Sequence, residues 1–249
     1  RIKDYTKFDA KNPLDRGIAF PVGLNVNNIV AHWSPNPLDN KQILLKDDII
    51  KIDFGIQYQG NIIDSAFSYS NNEKYQDLID ISKEATQKGC DLIGEDVLIN
   101  DISKEIQEVI ESNEIDINNK TYNVKSIQNL TGHQIKKYEI HGDKLIPNFY
   151  IPDYNERISN NELYSIETYP STGNGYAVLD FDKNNISHYM LNKKFKNLKL
   201  SNFDEQINLY KLNLKFDEKN LLKIIIKNYG TLPFARKWLS KLKIKKYLI

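Results

Sequence analysis

Residues 48–70, DIIKIDFGIQYQGNIIDSAFSYS, constrain the fold more than any other stretch of the chain. Two runs rich in β-branched and aromatic residues flank Gln59-Gly60, and a glycine in a two-residue connection signals a tight antiparallel hairpin. With Gln59-Gly60 as the turn, Asp53 lies opposite Ala66, and Asp64 is offset from that partner by two residues. Side chains alternate across a strand, so both carboxylates project from one face, as diagonal neighbours roughly 7–8 Å apart. They stand among Ile52, Phe54, Ile63 and Phe67, where an ionised carboxylate is costly unless it is paired or coordinated. Lys51 is the one basic residue in either strand motif, and it is expected on the opposite strand face. A shared cation is the natural partner of the two carboxylates.

Periodicity supplies the remaining elements. In EKYQDLIDISKEATQKGCDLIG the apolar residues Tyr75, Leu78 and Ile79, onward to Leu92 and Ile93, recur at helical spacing, with a stop near Gly94. DISKEIQEVIES repeats the pattern with Ile102, Ile106, Val109 and Ile110, and Asp101 is available as its N-cap. Short strand-like runs return at 121–145 and 162–169. From Asn202 the chain reads as lysine-rich and helical around LLKIII at 221–226, with a change of subdomain near 190–200. Cys90 is the sole cysteine, which rules out an internal disulfide. Its place in a helical pattern predicts a small buried side chain rather than a nucleophile.

A chain of 249 residues, 40% of them hydrophobic, can bury a sizeable core. No apolar run approaches the roughly 20 residues that span a bilayer, and the polar start RIKDYTKFDAKN is unlike a secretory signal. A cytoplasmic location without a membrane partner is therefore expected. Charge is uneven along the chain. Residues 191–249 hold 15 basic and 4 acidic residues, a net +11, while residues 1–190 carry −10. A basic tail on an acidic body either faces RNA or the ribosome or is a solvated, lysine-rich helix face; specific DNA binding is not expected.

Asp53 in KIDFG, Asp64 in NIIDSAF, His133 in NLTGHQI and Glu167 in SIETYPSTG combine ligand-type side chains with strand or loop context, and His32, His141 and His188 complete the histidines. Taken singly, a strand aspartate is often a satisfied polar group and a lone glutamate a surface residue. Together, three carboxylates and an imidazole make an oxygen-rich set with one nitrogen, suited to Mn²⁺, Co²⁺, Fe²⁺ or Zn²⁺ rather than to a thiolate-seeking metal. Two such ions roughly 3.5–4 Å apart are a known hydrolytic arrangement.

The segments GIAFPVGLNVNNIVAHWSPNP, DDIIKIDFGIQYQGNIIDSAF, IQNLTGHQIKKYEIHG, ELYSIETYPSTGNG and ISHYM resemble, in order and spacing, the motifs of the type 2 methionine aminopeptidases. The resemblance runs from about Gly17 to the last residues, where NYGTLPFARKWLSKLKIKKYLI is similar to part of the helical insertion that distinguishes type 2 from type 1. It implies an α/β (α+β) architecture of the pita-bread type, with antiparallel sheet inside and helices outside. Residues 1–190 would form the metallopeptidase core and 191–249 the beginning of the basic insertion subdomain. By motif, Asp53 resembles the chelating carboxylate of one metal and Asp64 the carboxylate bridging two. His133 and Glu167 resemble ligands of the other metal. His32 resembles the histidine at the mouth of the methionine pocket that assists at the scissile amide, and His141 the one that contacts the substrate carbonyl. Phe20, Ile140 and His188 match positions lining the methionine slot. The implied activity is metal-dependent removal of the N-terminal methionine from nascent chains whose second residue is small, near the ribosome.

The resemblance has departures. The family's fifth ligand, a second bridging glutamate, lies on a strand beyond the insertion, past Ile249, so one of the two metal sites is expected to be weak here. Both ends are expected to be cut from a longer protein. Pro233 stands where the family has alanine beside the pocket. Two other functions fit the same fold. A non-catalytic relative binding RNA or the ribosome is favoured by the basic tail and opposed by the filled ligand positions; a proline dipeptidase is opposed by the insertion and by GTLPFARKWL.

Overall fold

The computed structural model describes residues 2–36, 43–179, 186–192, 197, 199–204 and 216–240. A short helix, α1 (Ile2–Tyr5), precedes three strands, β1 (Arg16–Val26), β2 (Ile49–Tyr58) and β3 (Asn61–Ser70), which form an antiparallel sheet in that order. The hairpin has the register read from the sequence: Tyr58 pairs with Asn61, Asp53 with Ala66 and Gly55 with Asp64. Gln59 and Gly60 have φ of 49° and 82°, the left-handed pair that a two-residue turn demands. The Tyr138 ring packs over this turn so closely that a Cβ on Gly60 would lie 2.4 Å from it.

Strand β1 is less regular. Its pairing with β2 shifts between Ile18 and Phe20 and again between Phe20 and Gly23, and such bulges re-aim side chains. The Phe20 ring crosses β2 at Gly55, where an added Cβ would sit 2.1 Å from a ring carbon. Lys51 corrects the sequence reading: it stands two positions before Asp53 with one residue between them, so alternation puts both on the same face. Its ammonium is spent on the Asn27 carbonyl, and the charges that act on Asp53 come from Asp64, Glu167 and His133.

Two helices follow the hairpin, α2 (Gln76–Leu92) and α3 (Ile99–Glu111). Ile99, Ile102, Ile106 and Ile110 make a fully buried stripe on α3 at the spacing of one helix face. They pack with Ile81 and Ala85 of α2 and with Ile115, Val124, Ile146 and Ile158. The start of α3 differs from the expectation. The helix begins at Ile99 and no side chain caps it, because the Ile99 N–H donates to the Glu156 carbonyl. Asp101 lies in the first turn instead, where its charge favours the helix dipole. Cys90 is exposed rather than buried. The buried residues of α2 are Ile79, Ile81, Ala85 and Gly89, and one further residue turns about 100° away from that stripe.

The later chain runs in short strands. β4 (Glu114–Ile117) pairs with β5 (Lys120–Asn123), and β6 (Lys125–Ser126) with a later β10 (Pro170–Ser171). β7 (Thr131–Ile135) is the centre of a second three-stranded sheet, between β8 (Leu145–Pro147) and β9 (Leu163–Ser165). β11 (His188–Tyr189) pairs with β12 (Phe234–Ala235); α4 (Phe216–Asn228) contains LLKIII, and α5 (Arg236–Ser240) follows β12. The rest of the expected lysine-rich helical stretch, at 205–215 and 241–249, and Pro37 lie outside the described residues. Among the described residues no helix is long and apolar enough to cross a membrane.

Candidate functional site

Three side chains from separate elements converge where the two larger sheets meet. Asp64 comes from β3, His133 from the middle of β7, and Glu167 from the segment after β9. Strand β7 approaches β9 so closely that a Cβ on Gly132 would lie 2.5 Å from the Ser165 carbonyl oxygen, which draws His133 and Glu167 together. His133 Nε2 lies 2.8 Å from Glu167 Oε1 and 3.5 Å from Asp64 Oδ2, with side-chain exposures of 4% for His133, 24% for Glu167 and 8% for Asp64. One donor atom from each of the three falls within 4.8 Å of the others.

The donor set fits a divalent cation. Ligand bonds of about 2.1 Å hold neighbouring donors roughly 3–3.5 Å apart, close to the 2.8 and 3.5 Å seen here. The electrostatics agree. Burial would push the His133 pKa down, but hydrogen bonds and charge from Asp64 and Glu167 outweigh it and raise the value to about 10. Positive charge is thus demanded at this point. Burial also raises Asp53, and repulsion from Asp64 and Glu167 adds to it, to about 7. Asp53 stands outside the cluster of three, on the neighbouring strand and facing the same way.

The four histidines form a row that begins at His133 and leads away from this cluster. The His141 ring packs edge-on to His133 with centroids 4.5 Å apart; His32 lies 6.3 Å from His141, and His188 lies 6.3 Å from His32. His32 is exposed, with φ of 58°. The Trp33 N–H donates to Asn25 Oδ1, and the Ser187 hydroxyl donates to the His32 carbonyl. Ser34 Oγ lies 2.7 Å from His188 Nε2. Burial, with repulsion from His32 and Lys237, lowers His188 to about 4, so its ring is neutral. Phe20 and Ile140 are buried together with Ala19, Ile62, Ile135 and Leu232, and Pro233 follows Leu232 directly.

Sequence reasoning missed the groups that hold Glu167. The Tyr169 hydroxyl donates to Glu167 Oε2. Asn148, fully buried, donates to the Leu130 and Glu167 carbonyls and accepts from the Tyr169 N–H. The only sequence signal was a tyrosine two residues after a candidate ligand; a polar Asn148 beside Pro147 gave none.

A profile of metallopeptidase family M24 matches residues 3–187. Methionine aminopeptidase 2 of Yarrowia lipolytica is 41% identical over 239 residues, which are 96% of this chain and 47% of that protein. Methionine aminopeptidase 2A of Arabidopsis thaliana is 42% identical over 243 residues, 98% of this chain and 51% of that protein. The chain spans about half the length of these relatives. Among solved structures, the methionine aminopeptidase of Thermotoga maritima matches with a TM-score of 0.55 at 26% identity, over 65% of this chain and 61% of that one.

Proposed function

Since the chain belongs to metallopeptidase family M24 and has its pita-bread α/β fold, we propose that it acts as a type 2 methionyl aminopeptidase. It would remove the N-terminal methionine of nascent polypeptides whose second residue is small. The observation that carries this reading is the convergence of Asp64, His133 and Glu167 at the head of a row of histidines.

In this reading Asp64, His133 and Glu167 would hold one divalent cation, and Asp53 with Asp64 would help to hold a second. The ions would be Mn²⁺, Co²⁺, Fe²⁺ or Zn²⁺. Such ions supply Lewis acidity toward a scissile carbonyl and lower the pKa of a coordinated water. The residues of the chain do the rest. His141, between His133 and His32, donates a hydrogen bond to the substrate carbonyl. His32, exposed at the outer side of the row, hands a proton to the departing amide nitrogen. Phe20 and Ile140 floor an apolar slot suited to a flexible thioether, and neutral His188, tied to Ser34, closes its side. Residues 1–190 serve as the catalytic core and 191–249 as the start of a basic insertion. The net +11 of that stretch supports a cytoplasmic setting against the anionic ribosome surface.

The test is methionine release from Met-Ala-Ser by the purified chain, titrated with Mn²⁺ and Co²⁺. Saturable, metal-dependent release with no cleavage of Gly-Pro is expected. Cleavage of Gly-Pro instead would make the protein a dipeptidase, and silence with metal bound would reject the activity for this chain.

A further inference from the structure

The two carboxylate oxygens of Glu167 have different partners. Oε1 lies 2.8 Å from His133 Nε2, and Oε2 accepts the Tyr169 hydroxyl. The short segment carrying both residues is held from two sides. Asn148 Nδ2 donates to the Glu167 carbonyl at 3.0 Å and to the Leu130 carbonyl at 3.2 Å, while its Oδ1 accepts the Tyr169 N–H at 3.0 Å. Between them, Thr168 Oγ1 donates to the Ser82 carbonyl of α2 at 3.0 Å and lies 2.7 Å from Thr86 Oγ1. Neither backbone nor carboxylate is left to find its own orientation.

We propose that Tyr169 is a positioning residue for Glu167: its hydroxyl occupies Oε2 and leaves Oε1 alone to meet a cation beside His133 Nε2, with Asn148 fixing the backbone from which both side chains leave. The inference rests on Asp64, His133 and Glu167 being a cation site. Its physical basis is general. A ligating carboxylate with one oxygen already bonded cannot swing about its last torsion, so the donor is oriented before the ion arrives. Removing such an outer partner commonly weakens metal binding about 10–100-fold. If Tyr169 merely filled space, its ring would matter and its hydroxyl would not.

Tyr169→Phe separates the two, because it keeps the ring and deletes only the donor. The purified, metal-free wild-type chain and Y169F are titrated with Mn²⁺ by calorimetry, well below the melting temperature of each, and both are melted without metal. Weakening of Mn²⁺ binding by about 10-fold or more is expected, with melting temperatures within about 4 °C of each other. Equal Mn²⁺ affinities would overturn this inference and leave the cation site standing. No Mn²⁺ uptake by the wild type would overturn the cation site, and this inference with it.

Discussion

His32 is held in a backbone conformation that L-residues seldom adopt, at φ 58°, and such a conformation costs of the order of 1–3 kcal/mol and persists only where its surroundings impose it. The surroundings are the Trp33 N–H on Asn25 and the Ser187 hydroxyl on the His32 carbonyl. They set the ring 6.3 Å from both His141 and His188, outside the cluster of Asp64, His133 and Glu167. His32→Ala should therefore lower turnover of Met-Ala-Ser about 100-fold or more, the usual scale for a lost proton-transfer group, with bound metal unchanged. Loss of metal, read by elemental analysis of the variant, would instead make His32 a ligand. At this scale the sequence singled out Asp64, His133, Glu167 and the histidines, which the fold brings together, because residue type and local motif travel together. It did not carry their supports. Ser34 and His188 meet across 154 positions, and Asn148 acts through backbone atoms whose approach only the folded chain creates. Cys90 was misread because its exposure depends on the side of α2 that faces α3.

The sheet β8-β7-β9 that carries His133 is tied at its edge by Glu162 and Lys144. Lys144 Nζ lies 2.8 Å from Glu162 Oε2 and donates to the Arg157 carbonyl and Ser159 Oγ. Glu162 also accepts from Gln134 Nε2, the Ser159 N–H and the Tyr164 hydroxyl. Burial alone would raise the Glu162 pKa; the Lys144 bond, with the Ser159 and Tyr164 donors, overrides it and lowers the value from 4.5 to about 2. The sign follows from linkage: the folded protein holds the charged form more strongly than the unfolded chain, so this stabilisation is complete above about pH 4.5 and is lost as pH falls through about 2. Glu162→Gln should cost about 2 kcal/mol at neutral pH, and its deficit against wild type should close between pH 4.5 and 2. A deficit in denaturant melts that stays constant across that window would show that the charge is not what Glu162 contributes. Legibility at this scale followed regularity. The hairpin register was readable because a two-residue turn and a period of two leave one solution. The bulges of β1 and the start of α3 were not, since Phe20 answers to Gly55 across the sheet and the Ile99 N–H to a carbonyl 57 residues further along the chain only after folding brings Glu156 near.

Across the whole molecule, the apolar residues beside the histidine row come from stretches that are far apart in the chain. Ala19 and Phe20 lie on β1, Ile62 on β3, Ile135 on β7, Ile140 before β8 and Leu232 just before β12, and they bury one another in a single cluster. The order of motifs announced the antiparallel, helix-flanked architecture. It could not announce this closure, because nothing in TLPF marks Leu232 as a neighbour of Phe20. Leu232 is 3% exposed, so Leu232→Ala should cost about 2–5 kcal/mol, the range for truncating a buried leucine. The cluster also holds Phe20 and Ile140, which floor the proposed slot, whereas Asp64 and His133 lie on the same strands as its members Ile62 and Ile135 without belonging to it. The loosened floor should therefore raise KM for Met-Ala-Ser several-fold while Mn²⁺ affinity stays at the wild-type value. An unchanged KM in a variant that is measurably less stable would separate the slot from this cluster. A parallel fall in metal affinity would mean that the core and the metal centre are mechanically one unit, with Leu232 acting on the ligands through β3 and β7.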